Sequence, residues 1–559
     1  MRHSRLWGIA LLASAALFVI AGQQPYHIVR IEKSEAAWDA VARFEIDVAQ
    51  ELRTCFVARA STDDLRALRA AGAEARVLEW NARGKEFLLV RDPGGASLGT
   101  LTTKGRAFLL EGDVLLFRPY APEGSRALPR RLARKPLPAR SVLPFLKRPW
   151  HGPRAPAARA LADPEVERIL SEVSSGELRT TVQDLQDFVT RYASTAGCEN
   201  AGTYLHEKLG GWGVSAEYQG FGFGGGLSSR NVIAEIPGRS YPEDILIICG
   251  HYDSTTRTTP EVRAPGADDN ASGTAAVLEA ARLLSRRPLD FTVRFVAFSA
   301  EEWGLYGSEA YAGMASAKNE RIVGVVNLDM IAWAAAGDRR IDIYANTESS
   351  WLGERMARAA SAYTALNPRS MVDPSMIWSD HSSFWDVGYP ALLAIESGDN
   401  PHYHSEADTI DTLDFEFFLQ TTRAALAVLT ELAQPVRPGL PATPTGFDGR
   451  VVAFYSLFKA VKRVDLRWNA ITGASGYNIY RSPESHLDYA KLNAAPVTAT
   501  SFSDGYLKME DAYFYVVRAV GAGGAEGNPS REFKVPAFTS SAAAAALPRF
   551  RLLSNGGRP

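Results

Sequence analysis

At 559 residues the chain is too long for a single core, and roughly two to four domains are expected. Apolar residues make up 46% and charged residues 22%, which excludes a chain disordered throughout, and a formal net charge of −2 excludes a general attraction to nucleic acid or anionic membrane. Three cysteines, Cys55, Cys198 and Cys249, cannot make a disulfide framework: Cys249 sits in a strand-like apolar run, and a single Cys55–Cys198 bridge is the one pairing left open.

Arg2 and Arg5 precede an uncharged stretch from Leu6 to Ala21, followed by Gly22-Gln23-Gln24. This is the order of a secretory signal over residues 1–22. The chain is therefore expected to be secreted or periplasmic, with no stable membrane insertion after cleavage; left uncleaved, the segment would be an N-terminal anchor. Residues 26–120 read as a small α/β unit. Ile28–Ile31, Cys55–Ala58 and Ala75–Leu78 are strand candidates, and Ser61 caps a helix with the acidic first turn Asp63-Asp64. The order is similar to ferredoxin-like prosegments of secreted zinc peptidases and suggests a prodomain. Residues 121–160 carry ten Lys or Arg against one acid, Glu123, with recurrent Pro, and read as a solvated linker whose pairs Arg130-Arg131 and Lys147-Arg148 suit a processing protease.

From 161 to 435, apolar β-branched runs (Asn231–Ile236, Ile245–Cys249, Val293–Phe298, Val323–Leu328, Ala391–Ile395) alternate with helical stretches such as Thr274–Leu284 and Trp351–Tyr363. That pattern predicts an α/β domain with a mostly parallel mixed sheet covered by helices on both faces, whose sites form at the carboxyl ends of the strands. After Pro435, Pro438, Pro441 and Pro444, period-two runs at Val464–Trp468, Gly476–Arg481 and Tyr513–Arg518 predict a β-sandwich over 445–537 that resembles a fibronectin type III domain; 538–559 reads as a disordered tail.

Metal-ligating residue types stand just past several of the apolar runs: Gly250-His251-Tyr252-Asp253, Gly266-Ala267-Asp268-Asp269-Asn270, Ala300-Glu301-Glu302, Asn327-Leu328-Asp329 and His402-Tyr403-His404. Two neighbouring divalent ions need one bridging carboxylate, further nitrogen or oxygen ligands, and a carboxylate held off the metal as general base. Adjacent residues at a strand end point in different directions, so Glu301 and Glu302 can divide the last two roles. The glycine-rich run Gly220–Gly226 is followed by a strand rather than a helix, which argues against phosphate binding and for a flexible loop.

This ordered set resembles the co-catalytic zinc exopeptidase family of bacterial leucyl aminopeptidases, with its glutamate-carboxypeptidase-like and glutaminyl-cyclase-like relatives. Thr190-Arg191-Tyr192, Arg230–Ala234, Ser379-Asp380-His381-Ser382 and His404–Thr409 add to the likeness. The resemblance implies two zinc ions per chain, with Asp268 bridging, His251 and Asp329 on one ion and Glu302 and His404 on the other. It further implies Glu301 as general base toward a metal-activated water, Asp253 orienting His251, and a cis bond at Asp268-Asp269. Where some relatives place a Tyr to stabilise the tetrahedral intermediate, this chain has Met376, which leaves that task to the metal or to Tyr403. His402 receives no role, and His381 reads as a structural or rim residue.

The expected function is a secreted aminopeptidase acting on peptide or protein substrates, with surface or polymer attachment through the β-sandwich. The alternatives are a carboxypeptidase of the same fold, distinguished by an Arg clamp for a substrate carboxylate, and a catalytically inactive binding or adhesion module.

Overall fold

The computed structural model describes residues 26–92, 98–121, 128, 132–139, 141–142, 162–456 and 459–538. The signal-like segment, both basic pairs and the C-terminal tail lie outside them.

The chain opens with a βαββαβ unit. Strands β1 (His27–Glu32), β2 (Asp47–Glu51), β3 (Cys55–Ala60) and β4 (Ala75–Glu79) form an antiparallel sheet in the order β2-β3-β1-β4. The helices Glu35–Arg43 and Thr62–Ala70 connect them. Ser61 caps the second helix in a reciprocal capping box with Asp64. A second antiparallel sheet follows, ordered β6-β7-β5-β8, from β5 (Leu88–Arg91), β6 (Gly105–Glu111), β7 (Val114–Pro119) and β8 (Ala133–Pro136). The stretch that reads as a solvated linker thus contains a strand. Ala133–Pro136 pairs with β5, and Lys135 is fully buried in an ion pair with Asp386. Composition missed it because a four-residue edge strand needs few apolar residues of its own when its partners supply them.

The central sheet has eight strands: β9 (Ser215–Phe223), β10 (Leu227–Ile236), β11 (Tyr241–His251), β12 (Phe291–Phe298), β13 (Arg321–Leu328), β14 (Arg340–Ala345), β15 (Asn367–Val372) and β16 (Ala391–Glu396). Their order is β15-β14-β16-β13-β11-β12-β10-β9, with β12, β11, β13 and β16 mutually parallel. The inner strands are buried on both faces, which is why they read as continuous apolar runs. The helices Gly273–Leu284 and Phe415–Ala433 cover one face. On the other, the helix Tyr306–Ala317 and the N-terminal strands share one apolar core: Leu78, Phe87, Leu89 and Leu116 continue into Ile247, Phe298, Tyr311, Ile377 and Phe384. The glycine-rich run ends β9 and turns into β10, with Gly224, Gly225 and Gly226 all at positive φ. Cys55, Cys198 and Cys249 are all free and buried, so no Cys55–Cys198 bridge forms.

The C-terminal unit is all-β. One sheet joins β17 (Asp448–Ser456), β18 (Lys459–Arg467) and β21 (Ser501–Lys508); the other joins β19 (Gly476–Ser482), β20 (Ala490–Lys491), β22 (Tyr513–Val520), β23 (Glu526–Pro529) and β24 (Phe533–Val535). Both sheets contribute to one core around Trp468, Tyr477, Ile479 and Tyr515, as a sandwich requires. It docks on the central unit through Asn528, whose amide donates to Asp290 (2.8 Å) and Pro435 (3.0 Å), and through the Arg358–Asp488 ion pair. Among the described residues, no helix is long and apolar enough to cross a membrane.

Candidate active site

The parallel strands β11, β12, β13 and β16 carry their last residues to one edge of the sheet. His251 ends β11, Glu301 and Glu302 follow β12, and Asp329 follows β13. Asp269 comes from the turn before the helix Gly273–Leu284, and His404 from the loop after β16. Ala300, Met330 and His404, all at or beside these positions, have φ between 51° and 58°. Backbone of this kind in non-glycine residues costs on the order of 1–3 kcal/mol each and is found where packing holds a functional turn.

The two histidines converge on one carboxylate. Asp269 Oδ1 lies 3.3 Å from His251 Nε2, and its Oδ2 lies 3.1 Å from His404 Nε2. Asp329 Oδ1 is 3.4 Å from His251 Nε2, Glu302 Oε2 is 3.0 Å from His404 Nε2, and Glu301 Oε2 stands 4.0 Å from His251 Nε2. Asp268, the residue expected between the two imidazoles, faces the other way. Its carboxylate accepts from the Ala332 N–H (2.9 Å) and the Asn400 amide (2.8 Å). The backbone at Asp269 and Asn270 is extended rather than helical, so neighbouring side chains point to opposite sides and a one-residue shift exchanges site for support. The cis peptide bond also lies one position later, at Asp269-Asn270.

A layer of polar groups fixes this cluster. Asp253 does more than face His251, whose Nδ1 lies 3.5 Å from Asp253 Oδ1 and 3.1 Å from the Asp253 carbonyl: its two carboxylate oxygens accept from the backbone N–H groups of Glu301 (3.2 Å) and Glu302 (3.3 Å). One aspartate thereby sets both an imidazole and the paired glutamates. Asp408 accepts from the N–H groups of Asp268 and Asp269 (2.9 and 3.0 Å), and Ser379 donates to Asp329 Oδ2 (2.6 Å). Behind the turn, the fully buried Arg191 guanidinium donates to the carbonyls of Leu185, Tyr252, Pro265 and Gly266.

Electrostatically the cluster is unfinished. Burial pushes Glu302 up to about 7, against the pull of His404. Burial also raises Glu301 well above the ordinary carboxylate range, with His251 opposing and Glu302 and Asp329 reinforcing. His404 rises to about 10 because Glu302 and Asp269 outweigh its own burial. Glu302 Oε1 is buried with no hydrogen-bond partner among the described residues. Such a density of carboxylates, held almost out of water, calls for positive charge. The donor set fits divalent cations: His251, Glu301 and Asp329 offer one group of ligand atoms, and His251, Asp269 and Glu302 another, each within 4.8 Å.

The cluster floors a cleft of about 400 Å³. Met330, Met376, Ile377, Trp378, Leu393 and Ile395 give it an apolar side. Tyr403 lines it as well, its ring stacked on His404 at 3.8 Å. His381 is buried with Nε2 2.6 Å from the Met376 carbonyl oxygen, a structural place, and His402 does not line the cleft. Sequence reasoning missed Asp269 as the central carboxylate and the supporting Asp408; the Asp-Asp pair carries no signal that says which member faces the metals.

A doubly covered α/β sheet whose strand ends gather two imidazoles and four carboxylates under an open cleft defines a metal-dependent hydrolase. The family model of peptidase family M28 matches residues 231–429. Leucine aminopeptidase 1 of Paracoccidioides brasiliensis is 30% identical over 293 residues, covering 48% of this chain and 74% of that protein. A probable zinc metalloprotease of Pyrenophora tritici-repentis is 27% identical over 430 residues, covering 65% of this chain and 85% of that protein. Among solved structures, LapB from Legionella pneumophila is similar at 20% identity and a TM-score of 0.49, covering 62% of this chain and 99% of that one. The chain belongs to peptidase family M28, the co-catalytic zinc exopeptidase family its sequence resembles, and is a metallopeptidase.

Proposed function

We propose that the chain is an exported aminopeptidase that holds two zinc ions and removes apolar residues from the amino ends of peptides. The observation that carries this reading is Asp269, whose two oxygens face two different histidines at 3.3 and 3.1 Å. In it Asp269 would serve both ions, with His251 and Asp329 holding one of them and Glu302 and His404 the other. The ions, when bound, would polarise the scissile carbonyl and lower the pKa of the attacking water. Glu301, unengaged by His404 and aimed at the same space, takes the proton from that water and returns it to the leaving amine. Asp253 keeps Glu301 in place through its backbone, and the apolar flank from Met330 to Ile395 receives an aliphatic side chain. With Met376 where some relatives carry a tyrosine, Tyr403 is the phenol at hand; its ring is partly exposed at the cleft, and the crowding of protein around its hydroxyl, with Asp269 and Glu302 beside it, keeps it protonated and able to donate.

The names of the leucine aminopeptidase relatives favour an amino-terminal substrate over the carboxypeptidase alternative, and the signal-like first 22 residues favour export. The β-sandwich is read as a fibronectin-like attachment module. The test is turnover of aminoacyl-p-nitroanilides and of carboxy-terminal dipeptides by the full chain, with metal content measured by mass spectrometry. Chelator-sensitive release from leucyl-p-nitroanilide, abolished in Glu301→Gln with two metals retained, is expected. Turnover restricted to substrates with a blocked amine and a free carboxylate would replace this reading with the carboxypeptidase.

A further inference from the structure

The second N-terminal sheet reaches the cleft itself. Its edge strand β8 runs along the turn that carries Glu301 and Glu302: at Gly304, with φ +119°, a Cβ would stand 3.1 Å from the Arg134 carbonyl oxygen. One residue on, Lys135 Nζ pairs with Asp386 at 2.6 Å and donates to Ser382 Oγ at 3.2 Å, both in or beside the short helix His381–Trp385. That helix is linked through Ser383 to Ser308 (2.9 Å) in the helix that follows the Glu301 turn. Beside it in the same sheet, Arg91 of β5, the cross-strand partner of Ala133, lines the cleft with Met376 and Trp378. The sheet therefore reaches the cleft through neighbouring residues of two paired strands, with Arg91, Leu132, Ala133 and Arg134 forming part of the wall next to the turn of the paired glutamates.

A releasable inhibitor would be expected to meet the enzyme across a polar, separable surface. Here the two units share one apolar core, in which Phe87, Leu89 and Leu116 continue into Ile377, Phe384 and Trp385. Removing the N-terminal unit would expose that face to water, at a cost proportional to its area. We propose that the sheet β5–β8 is a permanent roof of the active site, pinned by Lys135–Asp386, and that it restricts the enzyme to short peptides. The inference rests on the aminopeptidase reading for its substrate chemistry. A cleft of about 400 Å³ bordered by this strand holds a short peptide, whereas a longer chain must thread past the roof.

The test is a length series in the full chain: leucyl-p-nitroanilide, then Leu-initiated di-, tri-, hexa- and decapeptides. In the parent protein kcat/KM is expected to fall at least tenfold from tripeptide to decapeptide. The double variant Lys135→Met/Asp386→Leu, which removes both ends of the ion pair together, is expected to flatten the series to within threefold while changing the p-nitroanilide rate less than threefold. Arg134→Ala trims the wall without touching the ion pair and is expected to act in the same direction, more weakly. A flat series in the parent protein would overturn the proposal. So would a double variant that accelerates the p-nitroanilide as much as the decapeptide, the behaviour of an inhibitory plug. Hydrogen exchange at residues 132–136 and 301–308 reads the roof without any turnover. Slow exchange that becomes fast at both segments in the double variant is expected, and fast exchange at 132–136 in the parent protein sinks the roof even if the aminopeptidase reading fails separately.

Discussion

Two buried concentrations of charge stand back to back in the peptidase unit and are handled in opposite ways. The Arg191 guanidinium has a carbonyl for each direction in which it donates, taken from Leu185, Tyr252, Pro265 and Gly266. The carboxylates of Asp269, Glu301, Glu302 and Asp329 crowd around two imidazoles, and Glu302 still has an oxygen without a partner among the described residues. Burial alone does not separate structure from function; completeness of partners does. The first group needs nothing more, whereas the second is complete only with a ligand of opposite charge.

Exchanging the adjacent aspartates tests that distinction most sharply. Asp269→Asn removes the carboxylate shared by both histidines, and its loss of kcat is expected to equal or exceed the roughly 10²–10⁴-fold loss from Glu301→Gln, with metal content falling as well. Asp268→Asn disturbs supporting hydrogen bonds, to Ala332, Asn400 and Glu396 among others, so a loss of about 10–100-fold with metal retained is expected. Parallel kinetics and metal analysis decide it. Equal losses in both variants would return the bridging role to an open question between the two residues.

On the satisfied side the cost falls on stability. Arg191→Met leaves four buried carbonyls without their donor and is expected to cost about 3 kcal/mol or more, read as a lower urea midpoint for the peptidase transition. Because three of those carbonyls, of Tyr252, Pro265 and Gly266, belong to the segment from Tyr252 to Gly266, kcat should fall in the same variant as Asp253 and Asp269 lose their setting. Arg191→Lys, with three donors on a flexible stem, should fall between.

These pairs also show how far the sequence reaches. The central strands were legible because burial on both faces leaves a continuous apolar run, and ligands at strand ends were legible because parallel strands deliver their last residues to one edge. Asp269 was not: within Asp268-Asp269-Asn270 each residue can ligate, and the choice depends on an extended backbone that pattern does not encode. Nor was β8. Its basic, proline-flanked sequence has the composition of a linker, and Lys135 is placed by Asp386, a partner 251 positions away. Sequence periodicity reports what an element buries by itself; it is silent when the burying is done by distant partners.

Lys135 of β8 meets the peptidase unit beside His381, and acid provides the mildest probe of that junction. Burial first, and then the nearby Lys135 ammonium, push His381 down to about 3, although its Nε2 faces the Met376 carbonyl. Unfolded, the same imidazole titrates near 6.5. Between those values the unfolded chain binds a proton that the folded chain refuses, so this contribution to stability is fully present above pH 6.5 and is lost as the pH falls toward about 3. Glu309, which also faces Lys135, acts with the opposite sign: burial lifts it to about 7, so its contribution is present below 4.5 and is lost as the pH rises through 7. His381→Asn should therefore remove one proton from the acid limb alone, making the slope of unfolding free energy between pH 6 and pH 4 (pH values chosen inside that window) shallower by about 1.4 kcal/mol per pH unit. An unchanged acid slope would mean that the imidazole is already charged in the folded protein, and that Lys135 does not hold the roof against it.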